Sequence, residues 1–225
     1  MDIRIGLYDF FSFTVPGGVY LFTILYIFLR TKTIQPSQQL QDFLLSATGI
    51  LLITIASYVS GLIFDFFTSR WVRLFRSKNF SQKILDEFRA RSHHLNIKFQ
   101  ASDWPILIAK IRQDNTENGV AIEQNNVTNL MLRNLSFGFA AFSLVQLVDF
   151  FVTDRTINII LFVFFALLSG FAQAQSTKFA RFFFIQIFEY TVAKDLSEVK
   201  LSEYKLSDQP TTKNKQTDIE QSEKM

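Results

Sequence analysis

The sequence contains no cysteine, only two histidines and only four prolines in 225 residues. Without cysteine the chain forms no disulfide, has no thiolate nucleophile and offers no cysteine-ligated metal site. The net charge of +3 is too small to indicate a nucleic-acid surface. The sequence also lacks a glycine-rich phosphate loop, a nucleophile elbow and an H-E-x-x-H motif. We therefore expect no catalysis, no cofactor and no nucleic-acid partner.

The two histidines are neighbours, His93 and His94. Adjacent positions on a helix point about 100° apart, so a helix cannot direct both side chains at one ion. Asp86 and Glu87 lie two helical turns earlier in the chain. This spacing predicts a solvated helix end and no metal site.

What the sequence has in abundance is phenylalanine, with 27 residues, and long runs without charge. The clearest runs are Phe43–Phe64 and Thr156–Thr177, each 22 residues long, and a third covers Phe10–Leu29. About 20 apolar residues are enough for a helix to cross the hydrocarbon core of a bilayer. These runs predict a multi-pass membrane protein, with the second span at residues 43–64 and the fourth at 156–177.

The first uncharged run contains Pro16, which cannot donate a helical hydrogen bond and is best tolerated in the first turn. We therefore expect the first span at residues 16–34, with residues 1–15 lying along the interface. The alternative is a single kinked helix that begins at Tyr8.

The remaining span is predicted at residues 134–152, where Gln146 and Asp149 interrupt an otherwise apolar run. After the fourth span the sequence stays apolar through residues 179–192. A helix continuing to Ala193 would be about 57 Å long, well beyond the roughly 30 Å hydrocarbon core. Its last part must therefore leave the membrane and pack against the preceding loop or another copy of the chain.

The distribution of lysine and arginine predicts the orientation. Twenty of the 23 cations lie in the N-terminus, the loop after the second span and the region from Lys178 onwards. Only Arg30, Lys32 and Arg155 lie in the two short connections. Because cytoplasmic segments carry the excess of cations, we expect a plasma (inner) membrane protein with both termini in the cytoplasm.

Residues 67–133 form the only sizeable polar insertion, and they separate two membrane regions at residues 1–66 and 134–193. Within it, residues 80–89 predict an amphipathic helix with Ser81 as a candidate N-cap, and Ser102-Asp103-Trp104-Pro105 predicts a second helix start. Residues 194–225 are polar and charged, which predicts a largely disordered tail.

Three polar side chains fall inside the predicted spans: Gln146, Asp149 and Gln173. A charge within a span marks either a functional path for ions or protons or a structural pair near the interface. For Asp149 the expected structural partner is Arg155, across the turn between the third and fourth spans. Asp65, at the end of the second span, has Arg70 as its expected partner.

Small residues predict where helices approach closely. Ser57 and Gly61 lie on one face of the second span, and the stripe Ala166, Gly170 and Ala174 lies on one face of the fourth. We expect these two faces to pack together, or the stripe to form a contact between copies of the chain.

A basic run follows the second span, and it should contact anionic lipid at the inner leaflet. Its members are Arg70, Arg73, Arg76 and Lys78.

Two motifs, Tyr8-Asp9-Phe10-Phe11-Ser12-Phe13-Thr14-Val15-Pro16-Gly17 and Ala56-Ser57-Tyr58-Val59-Ser60-Gly61, resemble small four-pass bacterial inner-membrane proteins of uncharacterised families. Some proteins of this kind occur in defence or signalling operons beside a soluble partner. The resemblance implies the topology and the bacterial inner membrane, and it transfers no functional residue.

Together these observations predict an all-α fold: a four-transmembrane-helix bundle with a small helical cytoplasmic insertion between the second and third spans. The predicted function is a non-enzymatic, self-associating membrane anchor or effector subunit, whose residues 67–133 and 179–205 engage a soluble cytoplasmic partner. The alternative is a small ion channel or transporter that uses the intramembrane polar residues.

Overall fold

The computed structural model describes residues 3–33, 37–92, 97 and 99–194. These residues are almost entirely helical, and no strand occurs among them. The helices are α1 (Ile3–Arg30), α2 (Gln38–Leu45), α3 (Ala47–Phe75), α4 (Phe80–Arg91), α5 (Trp104–Asp114), α6 (Thr116–Thr153) and α7 (Thr156–Ala193), with a 3-10 turn at Ala101–Asp103. The predictions for the tail from residue 195 and for His93 and His94 lie outside the described residues.

Four of these helices, α1, α3, α6 and α7, are long and apolar enough to cross a membrane. The chain therefore has the all-α, four-span architecture of a multi-pass membrane protein, as the sequence predicted. One boundary differs, because residues 38–45 form the separate helix α2 within the predicted polar connection and the start of the predicted second span. Helix α3 then begins after Ser46, whose hydroxyl accepts the backbone N–H of Gly49 at 3.0 Å.

Helices α6 and α7 form an antiparallel hairpin that runs the full length of the molecule. Each has 38 residues, or about 57 Å. Asp154 ends α6 in the left-handed conformation, with φ 52°, and Arg155 caps the start of α7. We call this turn the hairpin end and the opposite end of the bundle the head end. The predicted extension of the last helix to Ala193 is confirmed.

Helix α1 crosses α3 at two glycines. A Cβ atom at Gly17 would overlap the backbone carbonyl of Ser57, and one at Gly61 would overlap the backbone carbonyl of Phe13. Only glycine allows the two backbones to approach so closely. The expectation that Ser57 and Gly61 pack on the fourth span is wrong, because α1 occupies this face.

The start of the first span also differs from the prediction. Helix α1 runs without interruption from Ile3 and includes Pro16, which is buried within it. Proline in a helix interior is costly because it removes a hydrogen bond and crowds the preceding turn. The close packing around the neighbouring Gly17 stabilises α1 through this position. The interfacial segment is therefore wrong, and the alternative of a single helix is closer, although α1 begins at Ile3 and not at Tyr8.

Beyond the head end, the chain forms a compact group that we call the head. It consists of α4, residues 99–103 with the 3-10 turn, α5, residues 116–127 of α6 and residues 179–193 of α7. Its apolar core joins these elements through Ile84, Leu85, Phe99, Ala101, Leu107, Ile111, Ile122, Phe183, Ile187 and Phe188. The prediction that the end of the last helix packs against the insertion is confirmed within one chain.

The sequence located the two helices of the insertion correctly, but one cap differs. Helix α4 begins at Phe80 as expected, with Asn79 and not Ser81 as its N-cap, and Trp104 begins α5 with Pro105 in its first turn. Asn115 alone separates α5 from α6, and its side chain accepts the backbone N–H of Asn118 at 3.1 Å. Helix α6 therefore begins 18 residues before the predicted span and links the head to the membrane bundle.

Candidate functional site

Polar side chains of α6 are buried in the interior of the membrane bundle, against α1 and α3 on one side and α7 on the other. We call this set of residues the polar seam, and its members are Asn129, Asn134, Ser136, Ser143, Gln146 and Asp149, all buried. From Asn129 to Asp149 the helix advances about 30 Å, which is the thickness of the hydrocarbon core. The seam therefore extends through the whole membrane bundle.

At the head end, the seam connects α6 to the three other spans. Asn134 accepts a hydrogen bond from the Thr68 hydroxyl at 2.5 Å through its side chain, and one from the Tyr20 hydroxyl at 2.7 Å through its backbone carbonyl. One turn earlier, Asn129 accepts the Ser176 hydroxyl of α7 at 2.9 Å. In lipid, apolar contact alone gives little preference for one helix arrangement over another, because the lipid tails are equally apolar. These hydrogen bonds therefore stabilise the relative positions of the helices.

Asp65 forms an ion pair with Arg133 of α6, so the predicted pair with Arg70 is wrong. The guanidinium of Arg70 instead lies 4.4 Å from the centre of the Phe66 ring. The sequence favoured Arg70 because it is near Asp65 in the chain. The structure favours Arg133 because α3 and α6 bring it to Asp65 from 68 residues away.

At the hairpin end, Asp149 is only 7% exposed and accepts three hydrogen bonds. The donors are Arg30 Nε at 2.6 Å, Asn158 Nδ2 at 2.9 Å and the Tyr26 hydroxyl at 3.0 Å. The predicted partner Arg155 is wrong, since it is the exposed cap of α7 while the end of α1 lies directly against Asp149. The carboxylate is thus neutralised within the bundle by α1 and α7.

Two buried amides of the bundle have side-chain atoms without a hydrogen-bond partner. Gln173 of α7 is buried with neither side-chain polar atom hydrogen-bonded, and Gln146 has an unpaired Nε2 although the Tyr26 hydroxyl lies 3.4 Å from its Oε1. An unsatisfied buried amide costs roughly 1–3 kcal/mol. These two predicted residues therefore lie inside the bundle, but the structure joins only Gln146 to the Asp149 cluster.

The predicted basic run divides into two parts. Arg73 and Lys78 are exposed beside the exposed Arg70, so these three are positioned to meet lipid headgroups. Arg76 is turned inward, where it donates to Asn129 Oδ1 at 3.2 Å. Burial lowers the pKa of the Arg76 guanidinium, and the positive charge of Arg133 lowers that pKa further. The guanidinium also lies 4.7 Å from the centre of the Phe80 ring of α4, so Arg76 contacts both the bundle and the head and is poorly placed to bind lipid.

The predicted small stripe of α7 faces outward. Ala166, Gly170 and Ala174 are exposed, and no atom lies within 4 Å of a Cβ placed on Gly170. The inward face of α7 carries Ser169 instead, whose hydroxyl donates to the backbone carbonyl of Ser136 at 2.8 Å. The stripe thus has no packing role within the described part of the chain, and its contact with another copy stays a prediction.

A groove of about 680 Å³ lies between α1 and α6 at the hairpin end. Its walls are apolar side chains of both helices, and the polar groups come from Tyr26, Arg30, Thr31, Asp149 and Thr153. Asp149, a member of the seam, lines this groove, so the seam approaches the outside of the bundle here.

Comparison with family models, with curated proteins and with solved structures gave no match. Within the described ranges, no group of three histidine, aspartate or glutamate side chains is placed to hold a metal ion. The chemistry available at the seam is hydrogen bonding and charge compensation between helices.

Sequence reasoning found Gln146, Asp149 and Gln173 but missed the other polar residues that join the spans. These are Tyr20, Tyr26, Thr68, Arg133, Asn134 and Asn158. All but Tyr20 lie near the end of an apolar run, where an interfacial position explains them equally well. For another part of the seam the sequence does contain a signal, which is periodicity. Asn129, Ser136 and Ser143 recur every seven residues on α6, which places them on one helix face.

Proposed function

We propose that this multi-pass membrane protein is a non-enzymatic anchor that holds its head at the cytoplasmic surface for a soluble partner. The observation that carries the proposal is the continuity of α6 and α7 from the bundle into the head. Since Phe183, Ile187 and Phe188 belong to both α7 and the head core, the head has a fixed position relative to the spans.

The distribution of cations supports the cytoplasmic orientation, and the resemblance to small bacterial proteins supports the inner membrane. The exposed cations Arg70, Arg73 and Lys78 lie where the bundle meets the head, so anionic lipid would hold the head close to the membrane surface. Self-association through the outward stripe of α7 would place several heads side by side.

The test is site-specific photocrosslinking of the full chain in cells. A photoreactive residue at Lys83, on the exposed face of α4, should capture a discrete soluble protein. The matched control is the same residue at Ile160, exposed on α7 within the bundle, which should capture lipid or another copy only. Equal capture of one soluble protein from both positions, or none from several exposed head positions, would contradict the proposal.

The alternative function is a small ion channel or transporter, and the polar seam is the observation that favours it. Against it, Asp149 is compensated by three donors and Ser136 is bonded to Ser169, so the described seam serves helix packing. Purified chain in liposomes should give no ion flux above that of protein-free vesicles. A flux that Asp149→Asn alters, while Asp154→Asn at the exposed turn leaves it unchanged, would make conduction the better function.

A further inference from the structure

The groove at the hairpin end is an opening of the bundle toward the membrane. Its apolar wall on α6 is formed by Leu144, Val148 and Val152, and the last two are 63% and 76% exposed. From Leu144 to Thr153 the helix advances about 14 Å, which is close to half of the roughly 30 Å hydrocarbon core. The groove therefore has the length of one leaflet.

At its polar end, the groove exposes the positively charged guanidinium of Arg30 to its surroundings. Asp149 is satisfied by three donors from α1 and α7, and it uses only the Nε of Arg30. A guanidinium has four further N–H donors on its two terminal nitrogens, arranged as a fork that matches phosphate oxygens. The Arg30 side chain is 34% exposed and lines the groove, and the exposed Lys32 follows it.

We propose that this groove binds one phospholipid of the leaflet at the hairpin end. An acyl chain lies along the apolar wall from Leu144 to Val152, and the phosphate accepts hydrogen bonds from the terminal nitrogens of Arg30. The volume of about 680 Å³ is within the range of about 300–1,000 Å³ that holds small ligands. The site lies at the end opposite the head, so the proposal is independent of the proposed soluble partner.

The chemistry of the groove favours a lipid over a helix of a second copy, because its exposed polar group is a guanidinium that requires an acceptor. A helix would have to place an acceptor against Arg30 within the membrane. A phospholipid has an acyl chain that can contact the apolar wall and a phosphate that can accept hydrogen bonds from the guanidinium of Arg30.

The experiment titrates the purified full chain in mild detergent with phosphatidylglycerol and counts bound lipids by native mass spectrometry. We expect one tightly bound lipid on the unchanged chain. Val148→Trp should fill the groove and weaken this binding about tenfold, whereas Leu167→Trp, at an equally exposed position of α7, should leave it unchanged. Diacylglycerol, with the same chains but no phosphate, should bind about tenfold more weakly than phosphatidylglycerol.

Thermal unfolding of both tryptophan variants establishes that each is folded, and Val152→Trp at the mouth of the groove replaces Val148→Trp if the latter is not. Equal lipid binding by the groove variant and the Leu167→Trp control would overturn the proposal. So would equal binding of phosphatidylglycerol and diacylglycerol. If the groove variant instead abolishes a two-copy species without changing lipid binding, the groove is a contact between copies and the lipid site is rejected.

Discussion

The head and the membrane bundle of this protein are built with opposite interiors. The largest fully buried side chains of the head are mostly apolar: Phe99, Phe188, Leu85, Leu107, Ile111 and Ile187. Their counterparts in the bundle are mostly polar: Gln146, Asn134, Thr68 and Ser12. Large apolar side chains of the bundle, such as Phe171 and Leu167, lie on its outer surface instead.

The difference follows from the solvent of each region. In water, burying an apolar side chain is favourable by about 25 cal/mol per Å², so the head collects such side chains in a core. In lipid the surroundings are as apolar as the side chain, and that driving force disappears between helices. Small residues, hydroxyls and ion pairs then determine which helix faces meet, as at Gly17, Gly61 and the polar seam.

The largest expected effect is in the apolar core of the head. Phe188→Ala should reduce the stability of the head by about 3–5 kcal/mol, because it removes a fully buried ring from between α4, α5 and α7. Hydrogen–deuterium exchange of α4 and α5 measures the loss. The matched control, Phe171→Ala on the lipid-facing side of α7, should leave this exchange unchanged, and faster exchange in both variants would contradict the comparison.

The next largest effect should come from the close helix crossing in the bundle. Gly61→Leu forces α3 away from the backbone of Phe13, and we expect a loss of about 3 kcal/mol, measured by detergent-induced unfolding in micelles. Gly170→Leu is the control, since this position meets open space within the chain. If Gly170→Leu leaves the monomer folded but reduces crosslinked dimers, the predicted contact between copies is supported. Equal destabilisation by both variants would refute the assignment of the crossing to Gly61.

A smaller effect is expected from the charged end of the seam. Asp149→Asn should destabilise the bundle by about 2 kcal/mol, since it removes the anionic acceptor of Arg30 while the partly exposed guanidinium can still reach headgroups. The same unfolding measurement applies. Asp154→Asn at the exposed turn should have no effect. A stabilised Asp149→Asn variant would mean that the ion pair is not part of what holds α1 against α6.

The smallest effect should come from a neutral hydrogen bond of the seam. Ser169→Ala removes the bond to the Ser136 carbonyl, and interhelical hydrogen bonds in membranes average about 0.6 kcal/mol. Ser60→Ala, on the half-buried side of α3, serves as the control for the loss of a hydroxyl. If Ser169→Ala lowered the free energy of unfolding as much as Phe188→Ala does, the proposed difference between the interiors of the head and the bundle would be wrong.

The sequence predicted the elements of the fold better than the contacts between them. Uncharged runs of about 20 residues require a membrane, and the persistent apolar character after residue 178 required α7 to continue into the head. These are local properties. Pro16 misled the prediction because the preference for a first-turn proline is also local, while the packing of α1 on α3 stabilises it in the helix interior.

The partners at the site were predicted wrongly for a similar reason. For both Asp65 and Asp149, the nearest cation in the sequence was expected to pair, and a cation from another span does so in the structure. A spacing of small residues likewise indicates that some helix comes close at Ser57 and Gly61 without indicating which one. Such choices depend on how four helices pack together, and composition and periodicity contain little information about that.

The two 38-residue helices of the hairpin also have a mechanical consequence. About 27 Å of their 57 Å length extends beyond a hydrocarbon core of about 30 Å, as a pair of stiff rods packed side by side. Spanning helices tilt when the bilayer becomes thinner. Since 27 Å multiplied by the sine of 10° is about 5 Å, a change in tilt of about 10° would move the far end of these rods, and the head with them, sideways by about 5 Å.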